Sequence, residues 1–137
     1  MPKKTKTAGV ERTLYQNYLK KAEKFHLAAE SSFKALNYEA AALASIHCVI
    51  SSIDAYLVFK SGIRSASERH ADAIKLFAEA AGMEEGKPAI RHAEYVLGEK
   101  TAVEYFDTLV TEKQASEIIK HTKRFYEWVT ERLPKNK

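Results

Sequence analysis

The alternation of apolar and polar positions divides the chain into helices. Leu14, Tyr18, Ala22, Phe25, Ala29, Phe33 and Leu36 recur at steps of three and four. That is the spacing of one face of an α-helix. Lys20, Lys21, Lys24 and Glu30 fill the other side, so a first helix is predicted over residues 10–36. Residues 38–61 are apolar nearly all round, which predicts a central helix packed on more than one side. Its small residues, Ala41, Ala44, Ser45, Ser51, Ser52 and Ala55, let neighbouring backbones approach, and Gly62 is a natural stop.

Ser65–Glu68 reads as a capping box, with Ser67 as the rival cap. It opens a third helix whose inward stripe is His70, Ile74, Phe77 and Ala81, placing His70 in the second turn. Residues 82–88 read as a loop, 89–97 as a short helix, and 99–110 as partly extended. A second capping box, Thr111–Gln114, starts the last helix. That helix carries Ala115, Ile118, Ile119, Thr122, Phe125, Val129 and Leu133 on one face and stops at Pro134. The fold class is therefore all-α: an up-and-down bundle of three long and two shorter helices, with no strand predicted. One domain is expected over residues 10–133, between a flexible basic tail (1–9) and a C-terminal tail (134–137).

Composition agrees with a single globular domain. The chain's 137 residues are 45% hydrophobic and 29% charged, which argues against wholesale disorder. The lone Cys48 excludes an internal disulfide. No apolar run is read as a membrane span of ~20 residues. The start lacks a signal peptide's apolar centre. A cytoplasmic protein without a membrane partner is expected. The formal charge of +4 suggests nucleic acid until its location is considered. Lys3, Lys4, Lys6, Lys135 and Lys137 lie in the tails. Setting these five aside from the 22 basic residues leaves a body charge of −1 against 18 acids. Any phosphate site must then be local.

There is no Gly-rich phosphate loop, no HExxH and no Cys/His cluster, so neither a metal nor a cofactor is expected. His26 with Glu30, and Glu117 with His121, are i,i+4 pairs that read as ordinary solvated pairs. His92 on its own carries no signal. His47 and Asp54 are out of place in so apolar a helix. Seven residues apart, they lie within about 20° of one line. A carboxylate there needs a partner, either a structural hydrogen bond or a site. The most informative stretch is Lys60–Asp72. Arg64 offers a planar fork for phosphate, and His70 titrates near neutrality and can move protons. A helix N-terminus beside them favours an anion. The plainer reading is a core-capping His and a solvated Arg.

Residues 38–77 carry a resemblance. The Ala-rich helix with Ile46-His47 and Ile53-Asp54-Ala55-Tyr56-Leu57, then Gly62-Ile63-Arg64-Ser65 and residues 70–77, resemble the HEPN family (higher eukaryotes and prokaryotes nucleotide-binding). Residues 100–105, Thr111 and residues 125–129 look like one small prokaryotic branch of it. The resemblance covers roughly residues 10–133, and its most specific element is Arg64-x5-His70. It implies a homodimer whose Arg–His pairs line one cleft, and a metal-independent endoribonuclease acting as a toxin or defence effector. By that likeness Arg64 would hold the scissile phosphate and His70 would act as general base or acid. Asp54 would orient Arg64. Lys60, Ser65, Arg69 and His47, near that pair in sequence or polar on the second helix, are the candidate substrate-binding residues. Asp72 stands where one toxin branch has Tyr, and Ser65 where active toxins often have an amide or acid. The family also includes non-catalytic modules that bind a nucleotide or a nucleotidyltransferase-type partner, such as an antitoxin. A helical dimer with no ligand is the third reading.

Overall fold

In the computed structural model, residues 5–134 are described. The element order is β1 (Thr7–Gly9), a 3-10 turn (Arg12–Leu14), α1 (Tyr15–Lys34), α2 (Tyr38–Ser61), β2 (Ile63–Ser65), α3 (His70–Ala81), α4 (Lys87–Gly98), α5 (Lys100–Tyr105) and α6 (Glu112–Arg132). The predicted all-α bundle stands, with a third short helix and a small sheet added. Residues 1–4 and 135–137 of the expected tails lie outside the described residues.

The all-round apolar stretch becomes α2, the longest helix, with α1 packed along it and α6, α3 and α4 closing further sides. Ala41, Ala42, Ser45, Ile46, Cys48, Val49, Ser52, Ile53, Leu57 and Val58 are all buried there. Small side chains serve the close α1–α2 contact: Ala22 and Ala29 of α1 are fully covered. Contrary to the sequence reading, α2 is long and apolar enough to cross a membrane, with a mean hydropathy of 1.7 over 18 residues. In this fold 67% of that window is buried inside the protein, as in the core helix of a bundle. Asn37 caps α2 by accepting from Ala40 N at 3.2 Å, and Gly62 ends it at φ 65°, a left-handed conformation that favours glycine.

Aromatic rings fill the centre. Phe77 lies 5.1 Å from Tyr56, 5.0 Å from Phe125 and 5.5 Å from Trp128, all between ring centroids. Arg132 lies over Trp128 at 3.9 Å and closes this cluster from outside.

Five expectations change. Thr7–Gly9, assigned to the flexible tail, instead pair antiparallel with Ile63–Ser65. Val10 N donates to Gly62 O at 2.8 Å and Arg12 Nε to Phe59 O at 2.8 Å, so the chain turns before α1 can begin at residue 10. That pairing holds residues 63–65 extended, so the Ser65–Glu68 capping box does not form and α3 starts at His70. The serines make a turn instead. Ser65 Oγ accepts from Ser67 N, while Ser67 Oγ accepts from Arg69 N and donates to Asp72 Oδ2 at 2.7 Å. Residues 100–105 are helical rather than extended, with Lys100 and Glu104 paired across one turn at 3.0 Å. Leu14 and Leu36, placed on the inward stripe of the first helix, are 41% and 72% exposed, because they fall outside α1. By contrast, the predicted cap of α6 forms: Thr111 Oγ1 accepts from Gln114 N at 3.1 Å.

Phe77 touches three aromatic neighbours and is fully buried. Phe77→Ala should therefore lower unfolding stability by about 3–5 kcal/mol in urea titration. Leu109→Ala, at a position 82% exposed, should change it by no more than about 0.5 kcal/mol.

Candidate functional site

One face of α2 is less covered than the rest. Ala40, His47, Ile50 and Asp54 are half-buried and Leu43 is 39% exposed. Their steps of three and four trace a stripe along one side of the helix. Phe25 of α1 stacks on His47, with ring centroids 5.3 Å apart and planes 29° apart. Four of the predicted site residues, His47, Asp54, Arg64 and His70, sort themselves along this stripe.

At one end stands Asp54. Burial pushes its carboxyl up to about 6, and the charges of Arg64 and then Lys21 pull it back only in part. Arg64 projects from the exposed middle of β2, held extended by its register opposite Ala8. The Tyr18 hydroxyl lies beside the guanidinium and, with Asp54, favours its charged form. The structure thus brings Asp54 and Arg64 together, and adds Tyr18 and Lys21. The sequence reading had placed Tyr18 on the packing stripe and Lys21 on the outer face. Both lie on α1, three residues apart, and only tertiary packing reveals that Tyr18 faces Arg64 and Lys21 faces Asp54.

At the other end stands His70. As the first residue of α3, rather than a second-turn residue, it sits half-buried near His47, Lys100 and Glu104. Burial lowers its pKa most, Lys100 and His47 lower it further, and Glu104 opposes them. The ring is accordingly neutral at pH 7, the form that accepts a proton. Beside it Glu39, Ala40, Leu43, His47, Val103 and Glu104 line a cavity of about 420 Å³. Lys100 and Glu104 were invisible as site residues because 99–110 was read as an extended connection.

Arg64 and His70 therefore face partners two turns apart on α2, a rise of about 10 Å. Among the described residues no hydrogen bond or ion pair joins them. The remaining predicted substrate-binding residues have other engagements. Arg69 lines a separate cavity of about 570 Å³ with Lys6, Glu68, Asp72 and Lys75. Ser65 Oγ serves its local turn, and Lys60 lies over the Tyr56 ring at 5.7 Å. Cys48 is buried, and its thiol is pushed up to about 12, far from a nucleophilic thiolate. Among the described residues no cluster of three or more His, Cys, Asp or Glu side chains is arranged to hold a metal.

An apolar central helix wrapped by others, with an Arg at the strand that follows it and a His opening the next helix, defines a helical bundle with a polar groove. The model of the HEPN domain matches residues 15–133, and the chain belongs to that family. No curated protein matches it.

The raised pKa of Asp54 has a definite sign. Between the unfolded value near 4 and the folded value of about 6, the native state binds the proton and the unfolded state does not. Stability must then fall as pH rises through that window, by up to about 3 kcal/mol from this group. In urea unfolding from pH 4 to 7, Asp54→Asn should remove this contribution and be the more stable chain at pH 7. A wild-type minus variant difference that does not change with pH would contradict this.

Proposed function

We propose that this HEPN-domain chain is a metal-independent endoribonuclease, acting as a homodimer in which Arg64 and His70 of both copies face one cleft. The α2 stripe carries the reading. It holds Arg64 with its carboxylate at one end and a neutral His70 beside His47, with the half-buried Ile50 between them and the exposed Leu43 just beyond. The exposed guanidinium would grip two phosphate oxygens of the scissile group. His70 would take the proton of the neighbouring 2′-hydroxyl. The 2′-oxygen bonds to phosphorus and the bond from phosphorus to the 5′-oxygen breaks. The products are a 2′,3′-cyclic phosphate and a 5′-hydroxyl, the latter protonated by an imidazolium in the shared cleft. Asp54 positions Arg64 rather than touching substrate. A toxin or defence role, with a nucleotidyltransferase-type antitoxin as partner, is consistent with such an activity.

A second reading is favoured by Glu39 and Glu104, whose carboxylates line the cavity beside His47. Acids there repel a polyanion and suit a non-catalytic module that binds a single nucleotide or a protein partner.

Cleavage of RNA in EDTA separates the two. Wild type should cut. His70→Ala should lose about 10²–10⁴-fold, and Arg64→Ala should fall comparably, with Arg64→Lys giving little rescue because the fork is lost. Undiminished cutting by His70→Ala overturns the catalytic assignment. Nucleotide binding without turnover by the wild type supports the second reading instead.

Sizing of Ile50→Glu tests the stripe as the dimer face. A folded monomer is the expected product, since Ile50 is only half-buried within one chain. A folded dimer would remove the stripe from the interface, and an unfolded chain would make Ile50 a core residue.

A further inference from the structure

The α4–α6 contact holds a feature that the groove does not use. His92 of α4 and His121 of α6 approach each other head-on, Nδ1 to Nδ1, at 2.8 Å. Neither residue belongs to the stripe on α2, and both are half-buried at the surface. In such a pair one Nδ1 carries a proton and the other presents its lone pair. Two lone pairs would meet there if that proton moved to the Nε2 of its own ring.

We propose that His92 and His121 form a two-imidazole site for a divalent transition-metal ion that takes nitrogen ligands at right angles, of the copper(II) and nickel(II) class. The geometry selects the class. Two nitrogens bound at about 2.0–2.1 Å stand about 2.9 Å apart when they subtend a right angle, and about 3.4 Å apart in a tetrahedron. The observed 2.8 Å is close to the first and short of the second, so a right-angle site forms once both rings turn their Nδ1 lone pairs away from each other toward one point beside the line that joins them. The outer surroundings fit as well. Glu117 Oε2 lies 4.0 Å from His121 Nε2, on the side of the ring away from His92. The negative charge of a carboxylate at that distance favours a proton on Nε2, the tautomer that leaves Nδ1 free, and a small side-chain movement would bring it into the contact that metal-bound imidazoles usually make. Tyr95 stacks on His121 with centroids 4.1 Å apart and sets the plane of that ring. Burial lowers the pKa of both imidazoles, His121 lowers that of His92 further, and Arg124 and Lys120 act the same way on both, with Glu117 opposing at His121; the two cations also moderate the affinity. The protein supplies two ligands and water completes the coordination. The site is independent of the RNA-cleavage reading.

The test is titration of the full chain with Cu²⁺, followed by electron paramagnetic resonance and by the ring signals of its five histidines in NMR. At one equivalent, a signal split by two nitrogens is expected, with the His92 and His121 rings broadened before those of His26, His47 and His70. His92→Gln and His121→Gln should each weaken binding at least ~10-fold, and Glu117→Gln should weaken it by about 10-fold with both ligands retained. Zn²⁺ should bind more weakly than Cu²⁺. Broadening that begins at another histidine, or binding unchanged in both Gln variants, overturns the proposal. The NMR order in the wild type decides even where a variant does not fold.

Discussion

The covering of α2 is the constraint on which the structure depends. A helix with apolar residues on every side cannot face water on any of them without cost. Burying one large aliphatic side chain is worth about 1.5–3 kcal/mol. α1, α6, α3 and α4 divide that surface among them. Their order around the core follows from what each can offer. α1 brings alanines for close backbone approach, while α3 and α6 bring the Phe77, Phe125 and Trp128 rings. What they leave open is the stripe with His47 and Asp54. The candidate groove is thus the remainder of a packing problem. The carboxyl of Asp54 is perturbed because it sits on a helix otherwise surrounded by hydrocarbon.

The two-stranded pairing has effects beyond its size. Three residues on each side hold Ile63–Ser65 extended directly after the Gly62 stop. Alternation along a strand then sends Arg64 to the opposite side from its neighbours. It also delays α3 until His70. At the first position of a helix the imidazole lies where the aligned peptide dipoles are positive, which disfavours its protonated form. That acts in the same direction as the burial and the Lys100 charge that already lower its pKa. A hairpin-like tie several residues away therefore helps to set the protonation state of the groove's only half-buried helix-start histidine among the described residues.

Much of this was legible in the sequence, and the failures have physical reasons. Period-3.6 patterns found α1, α3 and α6, and the all-round apolar stretch found α2, because those helices bury a stripe or a whole surface. The Thr111 cap was found because a hydroxyl three residues before Gln114 has one obvious use. The same logic failed at Ser65, where strand pairing with residues 7–9 overrode a local capping signal. Nothing in Thr7–Gly9 itself announces a strand; its partner lies more than fifty residues away. At the site, Arg64, His70, Asp54 and His47 were found because each is polar where apolar residues were expected, or lies in the stretch that carries the family likeness. Tyr18, Lys21, Lys100 and Glu104 were missed because such residues are commonplace on helix surfaces. Only the fold shows what they face. The His92–His121 contact was invisible for the same reason, since it joins two helices across 29 residues of sequence.

The perturbations at the two ends of the stripe share one cause and take opposite signs. Removing water disfavours charge, so it raises the carboxyl of Asp54 and lowers the imidazole of His70. In one chain both groups keep partial contact with solvent, and their neighbours only partly oppose the effect. Any body that covers Leu43 and Ile50 excludes more of that water and drives both shifts further. His70 then becomes a more secure proton acceptor at neutral pH, though a weaker base. Asp54, if it is to stay ionised, must rely more heavily on Arg64. Covering also strengthens the Arg64–Asp54 attraction, because the medium between them becomes less polar. Closure of the groove and ordering of its arginine are therefore coupled through the same desolvation, and Asp54 on α2 and His70 beside it are tuned by how completely that helix is covered.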